Sequence, residues 1–407
     1  MAYLILLREA PHLILFGLGL TAISSFGQTF FISLSSDVVM KELALSPGFW
    51  GSMYSLATLC SACTLPWVGR YLDRISLARF VVFAVVGLAG ACLLFSQARQ
   101  PALAFLALYL LRLTGQGLMG LTASTTMSRA FDSRRGSALS VSSLGFSLGE
   151  LALPLVVPML LLAFGWRASW AAFALVLLAV ALPGLLGLLS RARTRLDDAV
   201  FDPGARRSGN ASPESRWGLF RDLRFLMILP AYITTGFVAT GLILYQSALA
   251  EDKGWSWNWM ALSFSGFAIA RLVFSLLVGP MIDRFQARRI FPFSLGPLFF
   301  GVLLMHAFDF RWIAPVYYSL MGVSLGMGGA ASSAMWAERY GVARLGTIKS
   351  STSMVAILGT AVSPALMGWS LDSGVSFDAI LLAVALWIVA ATCAAIWALS
   401  ARAERAE

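Results

Sequence analysis

Histidine is almost missing from this chain of 407 residues: only His12 and His306 are present. Two imidazoles far apart in sequence supply no His-rich metal centre, and no nucleophile–base pair, His/Asp cluster or ATP-binding motif stands in their place. Cysteine is also scarce, at four residues (Cys60, Cys63, Cys92 and Cys393), all in apolar stretches. That excludes a secreted disulfide framework. Cys60-Ser-Ala-Cys63 lies inside an apolar run with no histidine nearby, so it reads as small-residue packing rather than a redox or metal site. Charge is low as well, at 12% of residues. What is abundant is apolar surface, with 58% hydrophobic residues and a mean hydropathy of +0.79. A soluble protein of this size could not hide that surface; a bilayer can, with ~20 apolar residues per crossing.

Twelve such crossings can be read, at roughly 12–35, 48–68, 78–97, 101–127, 137–164, 168–190, 224–249, 257–278, 289–308, 312–336, 347–370 and 377–400. The first keeps polar and bulky residues and runs straight into the second, so it reads as a span rather than a cleavable signal. Ser190 to Leu223 is the longest polar stretch, with Asp202-Pro-Gly and Arg206-Arg207-Ser-Gly-Asn. The expected organisation is an N-terminal six-helix bundle over 1–190, a linker over 191–223 and a C-terminal six-helix bundle over 224–407. The net charge of +10 belongs to topology rather than to nucleic acid. Of the 30 Lys/Arg, 23 fall on the side of the termini and linker and 5 on the other, which places both termini in the cytoplasm.

The halves repeat. Gly69-Arg-Tyr-Leu-Asp73-Arg74 returns as Gly279-Pro-Met-Ile-Asp283-Arg284, an offset of 210 that also relates Arg129 to Arg339, Arg134 to Arg344, Gly136 to Gly346, Gly149 to Gly359 and Pro154 to Pro364. A long internal repeat in an apolar chain is the mark of a transporter with its site near the midplane.

Those doubled loops, together with Arg112-x-x-x-Gln116-Gly117 in span 4, resemble the motifs of the major facilitator superfamily, over nearly the whole chain. The resemblance implies twelve helices in two pseudo-symmetric bundles, transport rather than enzymatic activity, and no cofactor. Each loop departs from the family pattern where a Gly is expected three residues after the Asp: Ser76 stands in one copy and Gln286 in the other. A stretch beginning at Arg134-Arg135-Gly-Ser-Ala-Leu, passing Gly145, Gly149 and Pro154 and closing with Phe164-Gly165-Trp166-Arg167 resembles the monocarboxylate and oxalate/formate branch. In that branch a span-8 Arg binds substrate carboxylate; Arg271 occupies span 8, about three turns before Asp283 where the branch has about two. The branch's mid-span-11 Lys has no counterpart, Lys349 lying near the span end.

Charges inside spans are expensive, at about 2.5–3.5 kcal/mol each on insertion scales, and are kept for function by default. Three lie near span centres: Arg112, Glu150 and Arg271. Arg271 offers a planar fork matched to a carboxylate. Glu150 is the single midplane carboxyl, and burial favours its neutral form, as a proton carrier requires; it could equally form a fixed pair with Arg112. Together the three leave one net positive charge, suited to one monovalent anion. Protonating Glu150 would leave two, so proton and anion would favour each other's binding.

Gln28, Gln116, Tyr54, Tyr232, Tyr245 and Gln246 are candidate pathway residues, with interhelical hydrogen bonding as the plainer role. Gly69, Asp73, Arg74, Gly279, Asp283 and Arg284 are candidate gating residues, each Asp placed to meet the positive end of a helix in the other half. The expected function is alternating-access transport of a small organic anion, monocarboxylate-like and proton-coupled, by a monomer in a bacterial inner membrane, with lipid and protons as its other partners. The alternative is a proton-coupled multidrug or cation exporter with Glu150 at its centre, which a midplane Arg disfavours.

Overall fold

In the computed structural model the described residues are 10–131, 135–192, 219–341 and 345–400. Most of the linker, and Arg134 and Arg344, lie outside them. Among the described residues no strand occurs and the chain is helical throughout. Twelve spans are present: α1 Pro11–Glu42, α2 Pro47–Gly69, α3 Leu77–Ser96, α4 Pro101–Ala130, α5 135–164, α6 166–191, α7 Leu223–Leu244, α8 Trp257–Phe285, α9 Ala287–Ala307, α10 Ile313–Tyr340, α11 Leu345–Asp372 and α12 Phe377–Leu399. Nine described segments are long and apolar enough to cross a membrane. One of these, Gly136–Arg191, is two spans joined at Gly165, whose φ of 75° and ψ of 161° no helix contains. The Ser- and Gly-bearing α2 and α10 are less apolar than the rest.

Helix starts follow local chemistry. Pro11 and Pro101 sit in first turns, where no N–H is missed. Ser76, Ser256, Ser376 and Asp222 cap α3, α8, α12 and α7 with their own side chains. Two expected spans differ in detail. The first is longer than expected and broken: helix gives way to a tight turn at Ser24–Gly27, Gln28 is extended (φ −84°, ψ 154°), and helix resumes at Thr29. The seventh ends early, at Leu244, and a separate short helix runs Gln246–Asp252.

Two compact units result, Met1–Leu45 with Met53–Arg206, and Ser46–Ser52 with Arg207–Glu407. Apolar side chains gain little by leaving lipid for each other, so close packing must hold each unit together. In the first, Phe31, Phe95, Trp166, Trp170 and Phe173 form an edge-to-face aromatic cluster. In the second, α10 lies against α8 through Gly322 and Gly326. A Cβ on Gly322 would stand 2.3 Å from the Phe267 carbonyl oxygen, and one on Gly326 2.6 Å from that of Arg271.

At the helix ends away from the repeated loops, each unit carries an ionic brace. In the first, Arg167 donates to Glu42 Oε1 (2.7 and 3.1 Å) and to the carbonyls of Ser96 and Ala98 (both 2.8 Å). In the second, Lys253, with only 2% of its side chain exposed, donates to Asp309 (2.7 Å) and Asp378 (3.1 Å). Burial alone pushes the Lys253 ammonium down, but the bonds to Asp309 and Asp378 outweigh it, and the net direction is upward.

Candidate functional site

The first unit assembles its polar centre around the break in α1. Gly27 and Gly115 touch backbone to backbone: a Cβ on Gly27 would lie 2.3 Å from the Leu111 carbonyl oxygen and 2.6 Å from the Gln116 nitrogen. Over Arg112–Met119 α4 is wound as a π-helix, a departure frequent at functional sites. The break frees the Gly27 carbonyl, and Arg112 Nη1 donates to it at 3.1 Å. The guanidinium also lies over the Tyr54 ring, 5.1 Å from its centroid, and Tyr54 OH is bonded to Thr29 Oγ1 at 2.8 Å. Arg112 is 3% exposed, and its Nε has no hydrogen-bond partner among the described residues. Gln28 donates to Ser24 Oγ at 3.3 Å, and Gln116 is exposed. Glu150, 8% exposed, follows Gly149, which abuts Ser25 at the same break. Among the described residues Glu150 is not one of Arg112's partners; the Gly27 carbonyl and the Tyr54 ring hold that arginine.

In the second unit Arg271 and Tyr232 line one cavity of about 230 Å³. Its other polar walls are Thr235, Ser294, Ser332 and Thr360, and no acidic side chain is among the described lining residues. Arg271 lies over Phe267 at 5.9 Å. The Gly326 contact explains its placement, since the two helices meet at the Arg271 backbone. Tyr245 and Gln246 are not in this cavity. Both are buried, Tyr245 OH reaching the carbonyls of Pro47 (2.6 Å) and Pro364 (3.0 Å), and Gln246 accepting from Tyr318 OH. Nothing in the sequence separated them from Tyr232; the early end of α7 at Leu244 does.

The repeated loops differ between the units. Asp73 accepts from Arg129 at the end of α4, and Ser76 caps α3. Among the described residues Asp283 forms no ion pair with Arg339. Instead Glu338 accepts from the backbone N–H of Ala287 (2.8 Å) and Arg288 (3.0 Å), capping α9 from α10. Gln286 takes a positive φ of 69° with ψ 140°, the conformation for which the family's Gly is suited. Arg129 was visible as a repeated position but not as the partner of Asp73, and Glu338, whose first-unit counterpart is Ser128, gave no signal at all.

With twelve helices in two repeated bundles and midspan arginines, the class is that of a membrane carrier. The family model of the Major Facilitator Superfamily matches residues 17–265 and 228–407, and the chain belongs to that superfamily. No curated protein matches it in sequence. Among solved structures it is similar to the nucleoside transporter NupG (TM-score 0.74, 13% identity, 95% of this chain and 98% of that one) and to a point mutant of it (TM-score 0.76, 13% identity, 95% and 100%). It is also similar to a bacterial homologue of the human lysosomal transporter Spinster (TM-score 0.71, 14% identity, 96% and 97%). At these identities the likeness concerns the fold.

Proposed function

We propose that the protein carries a small organic anion, monocarboxylate-like, across the membrane by alternating access, coupled to protons and acting as a monomer in a bacterial inner membrane with both termini cytoplasmic. The observation behind the substrate class is the Arg271 cavity, whose described lining residues include a permanent cation and several hydroxyl groups and no acid. A guanidinium in such a wall favours an anion and disfavours a cation, which counts against the cation-exporter reading. The bidentate match of guanidinium to carboxylate would orient the substrate, with Tyr232 on the same wall.

Glu150 is the proton carrier in this reading. It is buried beside the α1 break, and a carboxyl there changes the unit's charge when it takes a proton. Arg112 supplies the second positive charge. Asp73, Arg74, Asp283 and Arg284, with Gly69 and Gly279, serve gating, and movement of the loops would break and remake contacts such as Asp73–Arg129.

The test is uptake into proteoliposomes of a panel of monocarboxylates, dicarboxylates, nucleosides and lipophilic cations, at acid and at near-neutral outside pH. Uptake of a monocarboxylate that is faster with acid outside, and loses its pH dependence in Glu150→Gln, is the expected result. Transport of cations or nucleosides but of no carboxylate would overturn the substrate class, and an unchanged pH profile in Glu150→Gln would overturn the coupling.

A further inference from the structure

The hydroxyl groups that line the Arg271 cavity have, for the most part, already committed their hydrogens. Ser294 Oγ, between the two helical segments of α9, donates to the Phe291 carbonyl at 2.6 Å. Ser332 Oγ on α10 donates to the Gly329 carbonyl at 3.1 Å, and Thr360 Oγ1 on α11 to that of Ile357 at 3.0 Å. A hydroxyl carries one hydrogen and two lone pairs. With the hydrogen on a helix carbonyl, what each of these groups offers the cavity is lone pairs. Turning round to donate to a ligand would break the bond already made, whereas accepting from a ligand would not.

Three acceptors from three spans thus share a cavity with a guanidinium, which only donates. The α10 side of that cavity is kept bare. Gly328 lines it, and a Cβ there would stand 3.8 Å from Ser294 Oγ and 4.0 Å from Thr235 Cγ2, so a longer side chain would crowd both residues. Thr360 lies 210 residues after Glu150. The second unit therefore has a neutral hydroxyl at the repeat position where the first has its midspan carboxyl.

We infer that the substrate is a hydroxylated monocarboxylate: a short acid whose carboxylate meets Arg271 and whose own hydroxyl groups donate among Ser294, Ser332 and Thr360. This rests on the reading of the cavity as the anion site and adds what the rest of the substrate must carry. Hydroxyl rather than ammonium is the donor, because no acidic side chain is among the described lining residues and a guanidinium repels a second cation. At about 230 Å³ the cavity is smaller than the about 300–1,000 Å³ of drug-sized pockets, which suits an acid of a few carbons. A site that bonds a substrate hydroxyl discriminates against the analogue that lacks it.

The test compares four three-carbon acids on the purified full chain in neutral detergent at one fixed pH: propionate, pyruvate, alanine and glycerate. Affinity is read from the concentration dependence of the unfolding midpoint. Glycerate, which brings two hydroxyl donors, should bind about 10-fold or more tighter than propionate. Pyruvate, which adds an acceptor and no donor, should gain nothing over propionate, and alanine should bind more weakly than glycerate. The double variant Ser332→Ala with Thr360→Val should lose most of the glycerate advantage, and Ser294→Ala, in a different span, a smaller part of it; the ligand-free transition in the same scans shows that each variant is folded. Pyruvate or alanine binding as tightly as glycerate, or a full glycerate advantage in both variants, would overturn the inference. Equal binding of propionate and glycerate, both lost in Arg271→Gln, would overturn it and leave the anion site standing. Binding of no acid, or binding indifferent to Arg271→Gln, would instead remove the anion site on which it rests.

Discussion

Arg112 and Arg271 both lie inside spans, yet the two units treat them oppositely. In the first unit the arginine is sealed, 3% exposed, with one hydrogen bond among the described residues and a ring beneath it. In the second it lines a cavity of about 230 Å³. Arg167 sets the scale for a guanidinium in a bracing role, with four hydrogen bonds shared between a carboxylate and two carbonyls. Arg112 falls well short of that. A buried charge so sparsely bonded costs more than it returns in stability, and a chain keeps such a group for its action on something else. The pseudo-symmetry is therefore one of frame, not of chemistry. The 210-residue counterparts of Arg112 and Gln116 are Gly322 and Gly326, which in the second unit let α8 approach closely enough to place Arg271.

Replacing each arginine by methionine should sharpen the contrast most. Anion uptake should fall about 100-fold or more in either variant, the scale of one charge-assisted bidentate contact plus the lost cation. Stability should separate them. Arg112→Met relieves the desolvation of a buried charge at the expense of one unpaired carbonyl, so the unfolding free energy should hold or rise, by up to about 2 kcal/mol. Arg271→Met should change it little. Thermal unfolding of both variants beside the parent decides the matter: a clear loss of stability in Arg112→Met would make that residue a cap for the broken helix and remove it from the substrate pathway.

Much of this frame was legible because it is written in local signals. Span positions follow apolar run length, the boundary between α5 and α6 follows Gly165, and the midspan arginines are conspicuous because charge is costly there. The break at Ser24–Gln28 was not legible. No proline marks it, and its cause is the approach of Gly27 to Gly115, which is a tertiary event. The same holds for Glu338, whose role depends on α10 ending beside the start of α9, and for Lys253, whose partners lie 56 and 125 residues away. The assignment of Tyr245 and Gln246 to the pathway rested on composition alone, and the structure sets them among backbone carbonyls and Tyr318.

The ionic braces offer the next test, because they are near charge-reversed copies. Glu42 and Asp252 are 210 apart, yet the first unit puts the acid at the end of α1 and the base at the start of α6, while the second uses Lys253 after its seventh span and Asp378 at the start of α12. The difference matters at alkaline pH. Lys253 is held above its ordinary value in the folded chain, so its contribution is complete below the unfolded lysine value of about 10.4 and disappears as pH rises through the folded value. Arg167 keeps its charge throughout. Lys253→Met should therefore cost about 1–2 kcal/mol at pH 8, with the gap to the parent closing above pH ~10.5. Arg167→Met should cost about 1 kcal/mol, unchanged across that alkaline range; because the Arg167 bond holds the Glu42 carboxyl below its ordinary value, this contribution is lost only on acidification. A Lys253 gap that persists unchanged into alkali would mean that the side chain acts by packing rather than by charge.

The smallest expected effect has the sharpest sign. Ser76 and Gln286 occupy the same repeat position, where the family favours Gly. Ser76 has φ −60° and accepts from the Arg79 N–H at 3.4 Å; it works as an N-cap, and glycine there would lose the cap and add unfolded-state freedom. Gln286 has φ 69° and ψ 140°, a region that penalises any Cβ. The positive-φ Gly165 and Gly341 adopt nearly the same angles at no such cost. The cap that Ser76 provides for α3 is supplied to α9 by Glu338, so removing the Gln286 side chain leaves that cap intact. One substitution should thus act in opposite directions: Gln286→Gly should stabilise by about 0.5–1 kcal/mol, and Ser76→Gly should destabilise by a similar amount. Paired thermal melts read both signs, and a shift in the same direction for the two would show that the loops, despite their different caps, are held by one mechanism.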